Sequence, residues 1–195
     1  MELAVNANVS RARIDQTTLE LIQGDLTKQD TDAIVNAANS SLLGGGGVDG
    51  ALHRAAGPDL LAETRSLGGC QTGDAKITRG YKLKARQVIH AVGPVYRAGD
   101  PSVARLLESA YRRSLEVALE NDVRTIAFPS ISTGTYGYPI EEAAPISLRA
   151  VYDFALQSTQ IELVRFVLYN EPILKAYQVA LDHLIREAGG RAQYA

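Results

Sequence analysis

The chain has 195 residues, 46% hydrophobic and 22% charged, which suits one domain with a sizeable core and argues against a chain disordered as a whole or of low complexity. Twenty basic residues stand against twenty-two acidic ones, a formal charge of −2, so the basic stripe of a duplex-binding module is missing. One cysteine, Cys70, excludes an internal disulfide framework and suits a reducing cytoplasm, and no apolar run approaches the roughly 20 residues of a membrane-spanning helix.

Met1–Asp15 mixes Asn, Arg and Ser and lacks the apolar stretch of a secretory signal, so residues 1–17 are expected to be a leader without fixed structure. Thr18–Gln23 (TLELIQ) alternates as a strand until Gly24-Asp25 stops it, and Ala33–Ala37 (AIVNA) reads as a buried strand. Val48–Ala56 opens a helix after Gly44-Gly45-Gly46-Gly47. Pro58 starts a second helix through about Leu67, at a position where proline is favoured. Ala75–Thr78 and Gln87–Val92 (QVIHAV) are predicted strands. Ser102–Glu120 sets Val103, Leu106, Leu107, Ala110, Leu115 and Leu119 near a 3.6-residue period, which predicts an amphipathic helix. Thr125–Pro129 is strand-like, Ile140–Leu156 helical, Leu163–Tyr169 a strand and Ile173–Ala188 a closing helix, with 189–195 left as a tail. This alternation predicts one α/β domain over residues 18–188, in three layers, helix–sheet–helix.

Two strand exits carry unusual chemistry, and in open α/β sheets ligands bind outside the carboxyl ends of strands. The first runs from Asn36 through Asn39 and four consecutive glycines to Val48-Asp49-Gly50. A flexible connector tolerates such glycines. However, a connector rarely runs straight into a helix start, where bare N–H groups and a partial positive charge make an anion site. The second exit, Ser130 to Pro139, offers hydroxyls, Gly134 and Gly137, and Tyr136 and Tyr138; a bland reading is a Ser/Thr-capped loop over the core edge. No Lys or Arg lies between Asn36 and His53 or between Phe128 and Glu142, so a phosphate held here would be held by amides and hydroxyls. The glycine run lacks the Lys-Ser/Thr of a Walker A loop and the spacing of GxGxxG. His53, His90 and His183 are scattered and Cys70 has no ligand-spaced partner, so no metal is expected. Asp49 at a helix start reads equally as a cap or as a catalytic carboxylate near the positive helix end. His53, four residues on, shares its helical face. Asp25 also reads as a turn residue and N-cap, and His90 and Cys70 as structural.

These residues together resemble the macro domain superfamily, in particular its MacroD-type ADP-ribosyl hydrolase branch. The resemblance rests on Gly24-Asp25-Leu26-Thr27, Ile34 to Asn39 (IVNAAN), Leu43 to Gly57 (LGGGGVDGALHRAAG), Cys70 to Gly73, His90 to Pro94 (HAVGP) and Pro129 to Pro139 (PSISTGTYGYP), over roughly residues 18 to 186. It implies a three-layer α/β/α sandwich with a mixed central sheet and an ADP-ribose cleft across its top. It also implies that Asp25 accepts the adenine amino group, Leu26 adds a backbone N–H, and Tyr169 lines the adenine. By the same resemblance Gly46, Gly47, Val48 and the stretch Ser132-Thr133-Gly134-Thr135-Tyr136 wrap the diphosphate, Asn39 holds a distal ribose hydroxyl, and Asp49 is the catalytic carboxylate with Asn39 and His53 beside it. The activity implied is cofactor-free, metal-independent hydrolysis of ADP-ribosyl esters: mono-ADP-ribosyl Asp or Glu on proteins, and O-acetyl-ADP-ribose. The expected partners are ADP-ribose, its esters and ADP-ribosylated proteins, with neither membrane nor nucleic acid, for a cytoplasmic monomer. A non-catalytic ADP-ribose reader and a phosphatase acting on ADP-ribose 1″-phosphate remain alternatives.

Overall fold

The computed structural model describes residues 9–195. In chain order these form β1 (Val9–Ile14), β2 (Thr17–Gln23), a single 3-10 turn (Leu26–Lys28), β3 (Ala33–Ala37), α1 (Gly47–Ala56), α2 (Pro58–Ser66), β4 (Ala75–Arg79), β5 (Gln87–Ala91), α3 (Pro101–Glu120), β6 (Thr125–Phe128), α4 (Ile140–Ala155), β7 (Leu163–Leu168), α5 (Glu171–Glu187) and β8 (Ala192–Tyr194). The sheet order is β4-β5-β3-β6-β7-β2-β1-β8. Its five central strands are parallel, while β4, β1 and β8 pair antiparallel at the edges, so the sheet is mixed.

Strand alternation sorts the core into two faces. On one face Ala33, Val35, Ile89, Ile126, Phe128, Val164 and Phe166 pack with the inner sides of α3, α4 and α5. On the other, Ile34, Val88, Ala127 and Val167 pack with Leu52, Ala56 and Leu60 of α1 and α2. Helices on both faces complete the α/β/α sandwich. A cluster of Tyr111, Phe128, Phe166 and Tyr177, with ring centroids 5.1 to 5.9 Å apart, fills the first face, an arrangement that adds to simple area burial. Among the described residues no helix is long and apolar enough to cross a membrane.

The sheet takes in part of both stretches set outside the domain by sequence. Val9–Ile14 pairs along its whole length with β2, and Ala192–Tyr194 pairs with β1, so the domain reaches at least from Val9 to Tyr194. The reason is burial. Ala12 and Ile14 are fully enclosed, while Arg11 points its guanidinium at the buried Glu20, which Arg165 also meets at 2.7 Å. Residues 1–8 of the expected leader lie outside the described residues. Helix starts move too: Asn170 accepts from the Ile173 N–H and so begins α5 two residues earlier than its apolar period.

The topology fixes where a ligand can sit. β2, β7, β6 and β3 are neighbours, and their carboxyl ends release Asp25, Tyr169, Ser130 and Asn39 along one edge of the sheet. With strands about 4.8 Å apart, that row is roughly 14 Å long. The chain leaves β3 toward α1 on one face and β6 toward α4 on the other, the switch in direction that opens a crevice between neighbouring parallel strands.

Candidate functional site

The loop from β3 to α1 turns tightly: Gly44 (φ 87°) and Gly47 (φ 56°) occupy the left-handed region that side chains disfavour. Gly46 is the N-cap of α1 and no side chain caps the helix. The first-turn N–H groups of Gly47, Val48 and Asp49 therefore lack helical partners, at the end where the dipole attracts anions. Asp49 is not the cap. It lies in the first turn, 5% exposed, with its carboxylate turned inward.

Around Asp49 the side chains close a polar cluster. Asn36 Nδ2 donates to Asp49 Oδ1 at 2.7 Å and lies 3.2 Å from His90 Nδ1, and His90 Nε2 lies 2.9 Å from Thr78 Oγ1. His53 Nε2 approaches Asp49 Oδ1 at 3.4 Å without hydrogen-bond geometry, and this buried nitrogen has no hydrogen-bond partner. Asp49 lines the narrow end of the cleft, and its Oδ2 makes no hydrogen bond among the described residues. A methyl placed on Gly45 would come within 3.1 Å of Asp49 Oδ2 and 3.3 Å of Asn39 Nδ2, so both polar atoms converge on the open side of Gly45. Asn39 is itself braced, donating to the Gly44 carbonyl at 2.9 Å and accepting from Ser41 N and Oγ.

The second loop, Pro129 to Pro139, is pinned from the core. Tyr111 donates to the Pro129 carbonyl and accepts from the Ile131 N–H at 2.9 Å, while Tyr177 donates to Ser130 Oγ at 3.0 Å. Burial pushes both phenols up from their ordinary value, so they stay protonated donors. The N–H groups of residues 132–136 make no hydrogen bond among the described residues, whereas those of Gly137 and Tyr138 close the turn onto Gly134 and Ser132. Ser132 sits at φ 67°, and its buried hydroxyl is unpartnered. Gly93 lets this loop approach: a Cβ there would lie 2.2 Å from Ser132 Oγ.

Two adjoining hollows line the strand exits. One, of about 220 Å³, is bounded by Asn39, Gly45–Asp49, Gly93, Ser130–Ser132 and Gly134–Tyr136. The other, of about 700 Å³, is bounded by Gly24–Thr27, Arg54, Thr133, Val167, Tyr169 and Ile173. Gly47, Val48, Ser130 and Gly134 line both, so they form one continuous cleft. In the wider end, Asp25 caps the 3-10 turn by accepting from Thr27 N and Oγ1 through Oδ1 alone, while Tyr169 stands 82% exposed. The cap reading of Asp25 holds without occupying its second oxygen.

Of the residues singled out by sequence, Asp25, Leu26, Asn39, Gly46, Gly47, Val48, Asp49, Ser132, Thr133, Gly134, Thr135, Tyr136 and Tyr169 all line this cleft. His53 does not; it stands behind Asp49 and against Gly44. Asn36, Gly93, Ser130 and Arg54 belong to the site or its support and were not assigned roles there. For Asn36 the signal was a polar residue in an otherwise apolar buried strand. Cys70 packs against Ala38, Leu42 and Val92, and burial raises its thiol pKa, which disfavours the reactive thiolate. Among the described residues no group of His, Cys, Asp and Glu is arranged to hold a metal ion.

The family model of the macro domain matches residues 35–147. A macro domain-containing protein of Chlorobaculum tepidum is 56% identical over 167 residues, covering 86% of this chain and 97% of that protein. A Salmonella newport protein named O-acetyl-ADP-ribose deacetylase is 55% identical over 82% of this chain and 91% of its own length. The Xenopus laevis ADP-ribose glycohydrolase MACROD2 is 54% identical over 86% of this chain, which spans only 41% of that protein. Among solved structures, an Oceanobacillus iheyensis macrodomain with ADP superposes with a TM-score of 0.88 at 43% identity, covering 92% of this chain and 97% of that one. A Trypanosoma brucei macrodomain in complex with ADP-ribose gives 0.79 at 43% identity, over 84% and 68%.

Proposed function

Because the chain belongs to the macro domain family, we propose that it binds ADP-ribose along the row of strand exits and hydrolyses ADP-ribosyl esters at the distal ribose. The observation that carries this reading is the convergence of Asp49 Oδ2 and Asn39 Nδ2 beside Gly45, next to two loops of unpartnered amides without a Lys or Arg. In this reading the adenine lies at the wide end, beside Asp25 and the Leu26 amide and against Tyr169. The diphosphate lies across Gly46, Gly47, Val48 and the amides of 132–136. The distal ribose then falls at the narrow end.

Asn39 holds a ribose hydroxyl, and Asp49 orients a water and takes its proton as the water attacks the ester. Fixed amides and a placed water supply the acceleration through position and electrostatics. The substrates are ADP-ribose on protein Asp or Glu and O-acetyl-ADP-ribose, in keeping with the names of the Salmonella and Xenopus relatives. The compartment proposed is the cytoplasm, where one buried cysteine poses no redox problem.

The test is Asp49→Ala assayed on glutamate-linked mono-ADP-ribosylated protein. Release of ADP-ribose is expected to fall about a hundredfold or more, with calorimetric affinity for free ADP-ribose close to the parent's. Unchanged turnover overturns the role of Asp49, and no turnover in the parent leaves the reader. Absence of ADP-ribose binding overturns the whole reading. Hydrolysis in ¹⁸O-water locates the attack: label in the released acid means the acyl carbon, and label in the ADP-ribose means the anomeric carbon.

A further inference from the structure

We propose that Asn36 and His90 are positioning residues: hydrogen bonds running outward from the Asn36 amide, to Asp49 on one side and through His90 to Thr78 on the other, fix the carboxylate of Asp49 and leave its second oxygen for substrate. This rests on the reading above, in which Asp49 directs the water. Asn36 and His90 are register partners on the neighbouring parallel strands β3 and β5, and both are fully buried on the face that α1 covers. Asn36 Nδ2 has two protons. One goes to Asp49 Oδ1 at 2.7 Å, and the other faces His90 Nδ1 at 3.2 Å.

The polarity follows from proton counting. Burial, with a lesser contribution from His53, pushes the His90 pKa down to about 3, so the ring is neutral and carries one proton. Nδ1 must accept from Asn36, so the proton sits on Nε2 and is donated to Thr78 Oγ1 at 2.9 Å; the Thr78 hydroxyl in turn donates to the Arg79 carbonyl at 3.2 Å. The opposite tautomer would set N–H against N–H. A flipped Asn36 amide would set its oxygen against the carboxylate. Each link therefore has one direction, and together they select one orientation of Asp49. This arrangement leaves Asn36 Oδ1 buried without a partner. A buried orphan acceptor is destabilising, a penalty that a side chain present only to fill space would avoid.

Three measurements test the chain. In the unmodified protein, long-range ¹H–¹⁵N spectra of the imidazoles should show His90 as the Nε2–H tautomer; the Nδ1–H form overturns the proposal whatever the enzyme does. His90→Leu removes the acceptor, and kcat for ester hydrolysis is expected to fall about ten- to a hundredfold with ADP-ribose affinity unchanged. His90→Asn, whose Oδ1 can replace Nδ1, should regain most of that loss. Full kcat in His90→Leu, or a loss shared equally with binding and not regained by His90→Asn, overturns it. Asn36→Asp, nearly isosteric, serves if His90→Leu fails to fold: it should lose kcat and keep binding, and full kcat there overturns the chain as well. Should Asp49→Ala keep its turnover, the failure lies in the parent reading, and the tautomer still reports on the chain by itself.

Discussion

The two loops that face each other across the cleft are held in opposite ways. Behind the glycine loop stands a buried polar chain, Thr78–His90–Asn36–Asp49, with one partner per proton. Behind the serine loop stands the aromatic core, which hydrogen-bonds the loop through the hydroxyls of Tyr111 and Tyr177 and takes its Ile131 and Tyr138 into the apolar cluster. A polar chain fixes the direction of a side chain, since every reversed link leaves an unsatisfied or repelling group. An aromatic bed fixes the height of a backbone and is indifferent to charge. The glycine side is thereby built for orientation, and the serine side for shape.

The difference can be broken at several points. The largest effect is expected from Gly50→Ala, whose Cβ would stand 2.4 Å from the Gly45 carbonyl oxygen. The glycine turn must shift, and ester hydrolysis should fall about a hundredfold in single-turnover assays; parent-like turnover would show that the turn is soft.

Next comes pH. His90 is neutral when folded but titrates near 6.5 when unfolded, so the unfolded chain binds the extra proton and stability falls as pH drops below about 6.5 toward 3. Urea titrations should lose about 2 kcal/mol from this group between pH 7.5 and 5, and His90→Asn should lack that component. Behind the serine loop nothing equivalent titrates, because burial moves Tyr111 and Tyr177 upward, away from this range. A slope unchanged in His90→Asn would break the contrast.

Gly93→Ala brings a methyl to 2.2 Å from Ser132 Oγ, and it should weaken ADP-ribose binding about tenfold in calorimetry, about 1.4 kcal/mol, with less effect on kcat. The smallest effect is Tyr177→Phe. Losing its bonds with Ser130 and Ser147 should lower unfolding free energy by about 1 kcal/mol and leave turnover alone.

The elements were legible where one face is continuously apolar, as in Ser102–Glu120 and Ala33–Ala37. They were illegible at the sheet edges. In β1 the inward Ala12 and Ile14 alternate with Arg11 and Arg13, and the strand is stabilised by pairing with β2 and by Glu20 rather than by its own residues. β8 is three residues long, too short to show a period. The cleft lining was legible because glycines, hydroxyls and Asp49 cluster at strand exits. The support behind it was not: Asn36 and His90 lie 54 positions apart and meet only through the parallel pairing of β3 with β5. Whether Asp49 caps its helix was likewise settled by backbone geometry, which gives that place to Gly46.

The absence of Lys and Arg from both loops has a consequence for ionic strength. Cationic clamps loosen as salt rises, because their attraction is screened and released counterions lose their entropic advantage. Amide dipoles act at contact distance and exchange no counterions. On the proposed reading, the amides' hold on a diphosphate should be nearly the same in dilute and in concentrated potassium chloride, and whatever salt dependence the affinity keeps should trace to Arg54, which lines the wider end of the cleft.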